Sequence, residues 1–501
     1  MITHSFKKTS LCFSMLFLGA FAMAQKAGVF DGRTDVGKVL HAGAVSYNDQ
    51  TQQYTLSGSG SNIWFTRDEF SYLYKKMKGD FILQARCSLI GKGVEEHRKF
   101  GWMIRTNLDT SSPMVCTALH GNGLTSLQFR KSRGANVEQD TFTTRLPDIV
   151  ELERRGNKFI MSVAHWGEPY VIKQVSDVDL GDEVYVGLFV CAHNKDVTER
   201  GNFSNVRIIV PARENFTPYR EYIGSHIELM NISDGNRKIV YTSPLSLQAP
   251  NWTPDNKSLI YNSNGLIYKF DLLKRTPQLL NTDTVKRNNN DHVLSFDGKM
   301  LGLSSSDGKY NSIVYTVAVT GGSPKRITPT GPSYLHGWSP DKKFLVYTAE
   351  RGDGNFDIYK IPAGGGKEIR LTTASGLDDG PEFSPDGRFI YFNSTRTGTM
   401  QIWRMNNDGT NQVQITNDEF NNWFPHISSD GKSIVILSFL KDVKPDDHPF
   451  YKHVYLRLMP VSGGSPKVIA YVYGGQGSIN TPSWSPDSKR IAFVSNSEIK
   501  E

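Results

Sequence analysis

The chain has 501 residues, with 57 Lys and Arg against 50 Asp and Glu, a formal charge of +7. Over that length the bias is weak and no long Lys/Arg block occurs, so nucleic acid is not an expected partner. The four cysteines show no C-x-x-C spacing, which argues against a cysteine-built zinc site.

Residues 1–24 read as a signal peptide. Lys7 and Lys8 precede an apolar run from Leu11 to Met23, and Ala22-Met23-Ala24 places cleavage before Gln25. The run is too short to span a bilayer, no later segment is apolar enough to do so, and no cysteine marks a lipid anchor. The mature chain is therefore expected to be soluble, without a transmembrane segment, and periplasmic or secreted. Losing Lys7 and Lys8 lowers the charge to +5, and losing Cys12 leaves Cys87, Cys116 and Cys191. These three are expected as small buried strand residues; at most one disulfide could join two of them.

From Gly28 to Val210 apolar residues alternate in short runs. Examples are FILQARCSL (81–89), FGWMIRTNL (100–108), MVCTALHG (114–121), LTSLQFRKS (124–132) and EVYVGLFVCAHN (183–194). Turn residues separate the runs and no long helical period appears, so residues 25–210 are expected to form an antiparallel β-sandwich. Three phrases carry a resemblance: Gly101-Trp102-Met103-Ile104-Arg105, Val150 to Asn157, and Val186 to Val190 followed by Phe203-Ser204-Asn205-Val206. They resemble the concanavalin/laminin-G-like jelly rolls, especially the DUF1349-type modules of bacterial surface and carbohydrate-related proteins. The sequence departs from that family at Trp166-Gly167-Glu168-Pro169. On such a sheet Trp102, Arg105, His120, Gln128 and Arg130 are candidate sugar contacts, with Trp102 the best candidate for core instead, because alternate residues face opposite ways.

Residues 211–225, polar with two prolines, are expected as a linker. Residues 226–501 then repeat one phrase: NWTPD, LSFDG, GWSPD, EFSPD, HISSD and SWSPD, each followed by an apolar run. The phrase aspartates are Asp255, Asp297, Asp341, Asp386, Asp430 and Asp487, spaced by 42, 44, 45, 44 and 57. A period near 44 with about four strands per unit predicts propeller blades. Six phrases predict six blades, with residues 226–243 completing the last blade and closing the ring. The Ser/Thr-Pro-Asp-Gly chemistry is that of a turn, so the aspartates are expected as turn braces. The phrase resembles the TolB-like or PD40 (WD40-like) repeats, and the whole chain is read as all-β.

Histidine occupies the place of the usual proline, five residues before the aspartate, in two neighbouring units: His292 and His336. One place later stand Glu382 and His426, with Asp291, Asp378, Asp379, Asn422 and Trp423 nearby. Equivalent blade positions ring the axis, so these groups are expected at one mouth of the central channel. His292, His336 and His426 are candidate ligands for a divalent metal ion; His336, His426 and Glu382 are candidate catalytic groups. Asp291, Asp379, Asn422 and Trp423, with Arg105 and Arg130 of the sandwich, are candidate substrate-binding residues. The arrangement resembles oligogalacturonate lyases, propellers with a histidine-rich metal site in the channel. The long segment 439–458, carrying Asp446, Asp447, His448, Phe450, Tyr451 and His453, reads as a solvated loop or, alternatively, as a lid over the pore. No G-x-S-x-G, H-E-x-x-H or phosphate-loop motif occurs.

These features lead to an exported envelope or periplasmic binding or scaffold protein, expected to act on glycans through the sandwich and the propeller channel, with carbohydrate or an envelope protein as partner. The alternatives are a carbohydrate lyase or glycoside hydrolase working at the channel, and a TolB-type assembly module.

Overall fold

The computed structural model describes residues 27–217 and 219–499. The expected signal peptide lies outside them. Among the described residues no helix is long and apolar enough to cross a membrane.

Residues up to Ile209 form two seven-stranded antiparallel sheets. The first is centred on Lys99–Arg105, flanked by Glu183–Cys191 and Met114–His120; the second is centred on Phe81–Ile90, flanked by Ile149–Arg155 and Glu199–Ile209. The alternation in the sequence is what joins them. Leu73, Trp102, Ile104, Val115 and Leu188 from one sheet share an apolar cluster with Leu56, Leu83, Val150, Met161 and Phe203 from the other. Cys87, Cys116 and Cys191 are free and buried in these strands, as expected.

The second half forms six sheets. Five have four strands each, with inner strands Gln248–Trp252, Asn288–Leu294, Ser333–Trp338, Asp378–Phe383 and Asn421–Ile427. The sixth combines chain segments from both ends of the propeller. Ser225–Asn231 pairs with Arg490–Asn496 on one side and Arg237–Ser243 on the other, while Trp484 bridges to Ile491 on the inside. Ring closure therefore runs as the repeat count predicted.

The six aspartates are turn braces throughout. Each accepts from the hydroxyl two residues earlier, as in Thr253–Asp255 (2.6 Å), Ser339–Asp341 (2.6 Å) and Ser485–Asp487 (2.6 Å). Each also accepts from the amide two residues later, as in Lys343 to Asp341 at 3.1 Å. All six carboxyls are held below the usual carboxylate range: the Lys342 ammonium is the largest cause at Asp297, and the turn hydroxyl is the largest at the other five, with Asp386 at about 2.

The halves are tightly joined. Glu228 of the propeller is fully buried between Arg207 of the sandwich (2.6 Å) and Arg237 (2.8 Å). Burial opposes its ionisation, yet the two guanidiniums outweigh burial and hold its carboxyl well below the usual range. Arg237 also donates to Gln84 Oε1 (3.0 Å) and to the Tyr471 carbonyl (2.8 Å). The turn at Trp166–Pro169, where the sequence leaves its family pattern, meets the fifth blade. Gly167 bridges to Val468, Trp166 Nε1 donates to the Ile469 carbonyl, and the Tyr170 ring packs tilted against Tyr471 at 4.4 Å. The segment expected as a free linker is also packed: Phe216 meets Tyr451, and Tyr219 and Tyr222 meet Phe450 edge-on.

Candidate functional site

Every inner strand of the five four-stranded blades carries a register shift in its ladder to the second strand. Such bulges re-aim side chains, and their positions decide which residues reach the channel. In the third blade Leu335 pairs with Tyr347 and Gly337 with Val346, so His336 is the extra, unpaired residue. In the second blade His292 is itself a ladder residue, paired with Leu303, and the irregular stretch is Asn289–Asp291. Asp291 therefore reaches the channel mouth from the second blade, and His292 turns inward.

At one mouth lies a cup of about 770 Å³. Its floor holds Asp291, His336 and Asp379, and its wall is rich in amides: Asn262, Asn288, Asn289, Asn290, Gln476 and Asn480. Its aromatic lining is Tyr219, Tyr222, Tyr334, Phe356, Phe424 and Phe450. His336 Nε2 stands 3.3 Å from Asp379 Oδ1, and its ring stacks on Phe424 at 5.8 Å. Thr348 Oγ1 (2.7 Å) and the Gly380 amide (2.7 Å) donate to the same Asp379 oxygen. Burial would raise Asp379, but the His336 hydrogen bond and charge dominate and bring it to about 2. Burial likewise raises Asp291, to about 6. His336 moves upward despite burial because Asp291 and Asp379 face it. His448 is lowered, chiefly by burial.

The other mouth is a smaller cup of about 410 Å³, lined by Trp252, Trp338, Trp484, Pro385 and Glu382. Residues four before the phrase aspartate tie neighbouring blades together. Asn251 accepts from the Leu294 amide (2.9 Å), and Glu382 from the Ile427 amide (3.1 Å). His426 fits this scheme, with Nδ1 2.6 Å from Glu382 and Nε2 2.5 Å from the Ile479 carbonyl.

Of the sequence candidates, Asp291, His336 and Asp379 thus meet in the larger cup. Glu382 and His426 pair with each other toward the opposite end. His292 is fully buried, with Nε2 3.3 Å from the Ile260 carbonyl; burial lowers it to about 4. Its ring does not line the cup, so the expected three-histidine set is not assembled there. The one cluster of three metal-competent side chains among the described residues is Glu151, Glu153 and His453, at the junction of the halves. Asn422 is fully buried in the fifth blade, bonded to Asp418 and Ser438. Trp423 is buried behind the cup wall, edge-on to His448 at 4.4 Å.

The sandwich candidates require correction. Arg105 and Arg130 are fully buried, and both converge on Asp68, Arg130 with a bidentate grip at 2.7 and 2.8 Å. Buried guanidiniums need such a partner, and the pair braces the sheet's interior instead of facing solvent. Trp102, His120 and Gln128 are buried as well.

Sequence reasoning missed two contributors. Tyr219 and Tyr222 come from the segment read as a linker, and the amide wall comes from the run Asn288-Asn289-Asn290, whose three consecutive amides were the available signal. The long fifth-blade segment does reach the cup through Asp446, His448 and Phe450, whereas His453 faces the sandwich.

The TolB β-propeller domain family model matches residues 336–444. An uncharacterized protein of Agrobacterium fabrum is 43% identical over 271 residues, which is 54% of this chain and 92% of that protein. The Tol-Pal system protein TolB of Francisella tularensis is 25% identical over 277 residues, 54% of this chain and 61% of that protein. A solved TolB-type structure from Agrobacterium tumefaciens matches with a TM-score of 0.53 at 41% identity, over 56% of this chain and 100% of that one.

Proposed function

The chain belongs to the TolB-like β-propeller family, and from that premise we propose that it is an exported binding module that docks a protein partner of the bacterial envelope in the larger cup of its propeller. The observation that carries this reading is the cup's lining. Amide side chains offer both donors and acceptors, as an extended peptide backbone requires, and the aromatic rings supply apolar anchors. The relation to a Tol-Pal system protein favours assembly over catalysis. We read the first half as a concanavalin/laminin-G-like jelly roll whose role is to present and brace the propeller. The buried interface around Glu228 supports this, because it makes the two halves one body. The leading sequence argues for export.

The test is affinity capture from solubilised envelopes with the tagged mature chain, repeated with Tyr334→Ala and Phe356→Ala. A partner retained by the parent protein and lost with both variants supports the reading. Retention of an oligosaccharide from a neutral and acidic panel, with no protein captured, would overturn it in favour of carbohydrate recognition.

A further inference from the structure

We propose that the cup is a receptor for a protonated amine, supplied in the reading above, on which this inference rests, by a lysine or an amino terminus of the docked segment. The first observation is charge. None of the side chains lining the cup is Lys or Arg, although the chain carries 57 of them and a net +7. Three carboxylates, Asp291, Asp379 and Asp446, face the same space.

The second observation concerns what these carboxylates already do. Thr348, the Gly380 amide and His336 all approach Asp379 through Oδ1, and among the described residues no hydrogen bond reaches Oδ2. Asp291 is 5% exposed and pairs with no Lys or Arg among the described residues. His336 faces both buried acids and can compensate only one of them, while the second imidazole of the lining, His448, is lowered by burial and so is held toward its neutral form. An uncompensated buried carboxylate is costly unless a cation arrives. An ammonium group between Asp291 and Asp379 Oδ2 would supply that charge and donate three hydrogen bonds.

The third observation is the aromatic lining. Tyr334 and Phe356 lie 6.4 Å apart, and Tyr219, Tyr222 and Phe450 line the same cavity. Ring faces attract ammonium and repel anions. The lining therefore selects a cation with an apolar stem, the shape of a lysine side chain. An acidic segment would meet like charge at the floor.

The experiment is calorimetric titration of the full mature chain with a capped peptide, acetyl-Gly-Gly-Lys-Gly-Gly-amide, beside the same peptide carrying acetyl-lysine or glutamate. Spermidine forms a separate arm that distinguishes a free polyamine from a protein-borne amine. The lysine peptide is expected to bind at least about tenfold more tightly than the acetyl-lysine peptide, the order of one full ion-pair contact; tight spermidine binding without that preference would overturn the protein-borne source. Asp379→Asn and Asp291→Asn should abolish that preference, while Asp442→Asn, on an exposed residue outside the cup, should leave it intact. Equal binding of lysine and acetyl-lysine peptides, or tighter binding of the glutamate peptide, would overturn the inference. If envelope capture still needs Tyr334 and Phe356 in that case, only the amine assignment falls; if capture is also unaffected, the docking reading falls with it.

Discussion

Replacing Glu228 with Gln is expected to uncouple the two halves of the molecule. Glu228 is fully buried and accepts from Arg207 Nε (3.3 Å) and Nη2 (2.6 Å), from Arg237 Nε (3.0 Å) and Nη2 (2.8 Å), and from Ser495 Oγ (2.5 Å). Glutamine keeps the shape but removes the charge and turns an NH₂ group toward a guanidinium. Two buried cations then lose their counter-ion. Breaking a buried pair from one side costs ~3–5 kcal/mol, because the remaining charge stays desolvated. Chemical denaturation followed by tryptophan fluorescence measures it, with the parent protein unfolding at higher denaturant than Glu228→Gln by that free energy. The pH dependence has a definite sign. The folded-state carboxyl lies below its unfolded value near 4.5, so its contribution is present above that pH and is lost as pH falls toward the folded value. The gap between parent and variant should therefore close under acid conditions. A loss under about 1 kcal/mol at neutral pH, or a gap that widens on acidification, would refute the network as the joint between the halves.

Amine binding to the cup should strengthen as pH rises from 5 to 8. Asp291, raised to about 6, must ionise, and His336, raised by its two acids, loses its charge over the same direction; a Kd ratio of roughly tenfold between the ends is expected from the ionised fraction of Asp291, and a flat profile would contradict it. His453 faces Glu151 (3.7 Å) and Glu153 (3.5 Å), the latter also bound by Arg155, and is raised although burial opposes its charge. It should stabilise the folded chain by about 1 kcal/mol below pH 6.5 and lose that contribution as pH rises through its folded value, so His453→Gln should be visible in urea melts at pH 5.5 and silent at pH 9. Ser339→Ala removes a hydroxyl that donates to Asp341 (2.6 Å) and accepts from the Phe344 amide (2.9 Å), and should cost about 1–2 kcal/mol in the same melts. Deleting residues 226–243 removes both strands added to Arg490–Asn496 and should give aggregated protein by size-exclusion chromatography.

The propeller was legible because its repeat chemistry is local. Each phrase makes its own turn with a hydroxyl, a carboxylate and two amides, all within six residues, so the spacing of the aspartates counts the blades. Closure followed from the same count. The site was legible only in part, because its geometry depends on bulges. His292 and His336 share a place in the phrase, yet the second blade shifts its irregular stretch to Asn289–Asp291, which sends Asp291 into the channel and seals His292 between blades. Nothing in the local sequence announces a shift of that size. Arg105 and Arg130 misled for a related reason. Charge suggested solvent, but Asp68, some forty to sixty residues earlier, meets them inside the sheet, and that pairing is visible only in three dimensions. The tyrosines at 219 and 222 were hidden by the polar composition around them.

The central claim is that the propeller engages its partner through the larger cup, and photo-crosslinking in intact cells tests it most directly. A benzophenone amino acid placed at Phe356, in the cup lining, should yield a covalent adduct with an envelope protein, and the same probe at Leu279, exposed on an outer strand of the first blade, should yield none. Adducts at Leu279 with none at Phe356 would contradict the account and move recognition to the outer surface of the blades.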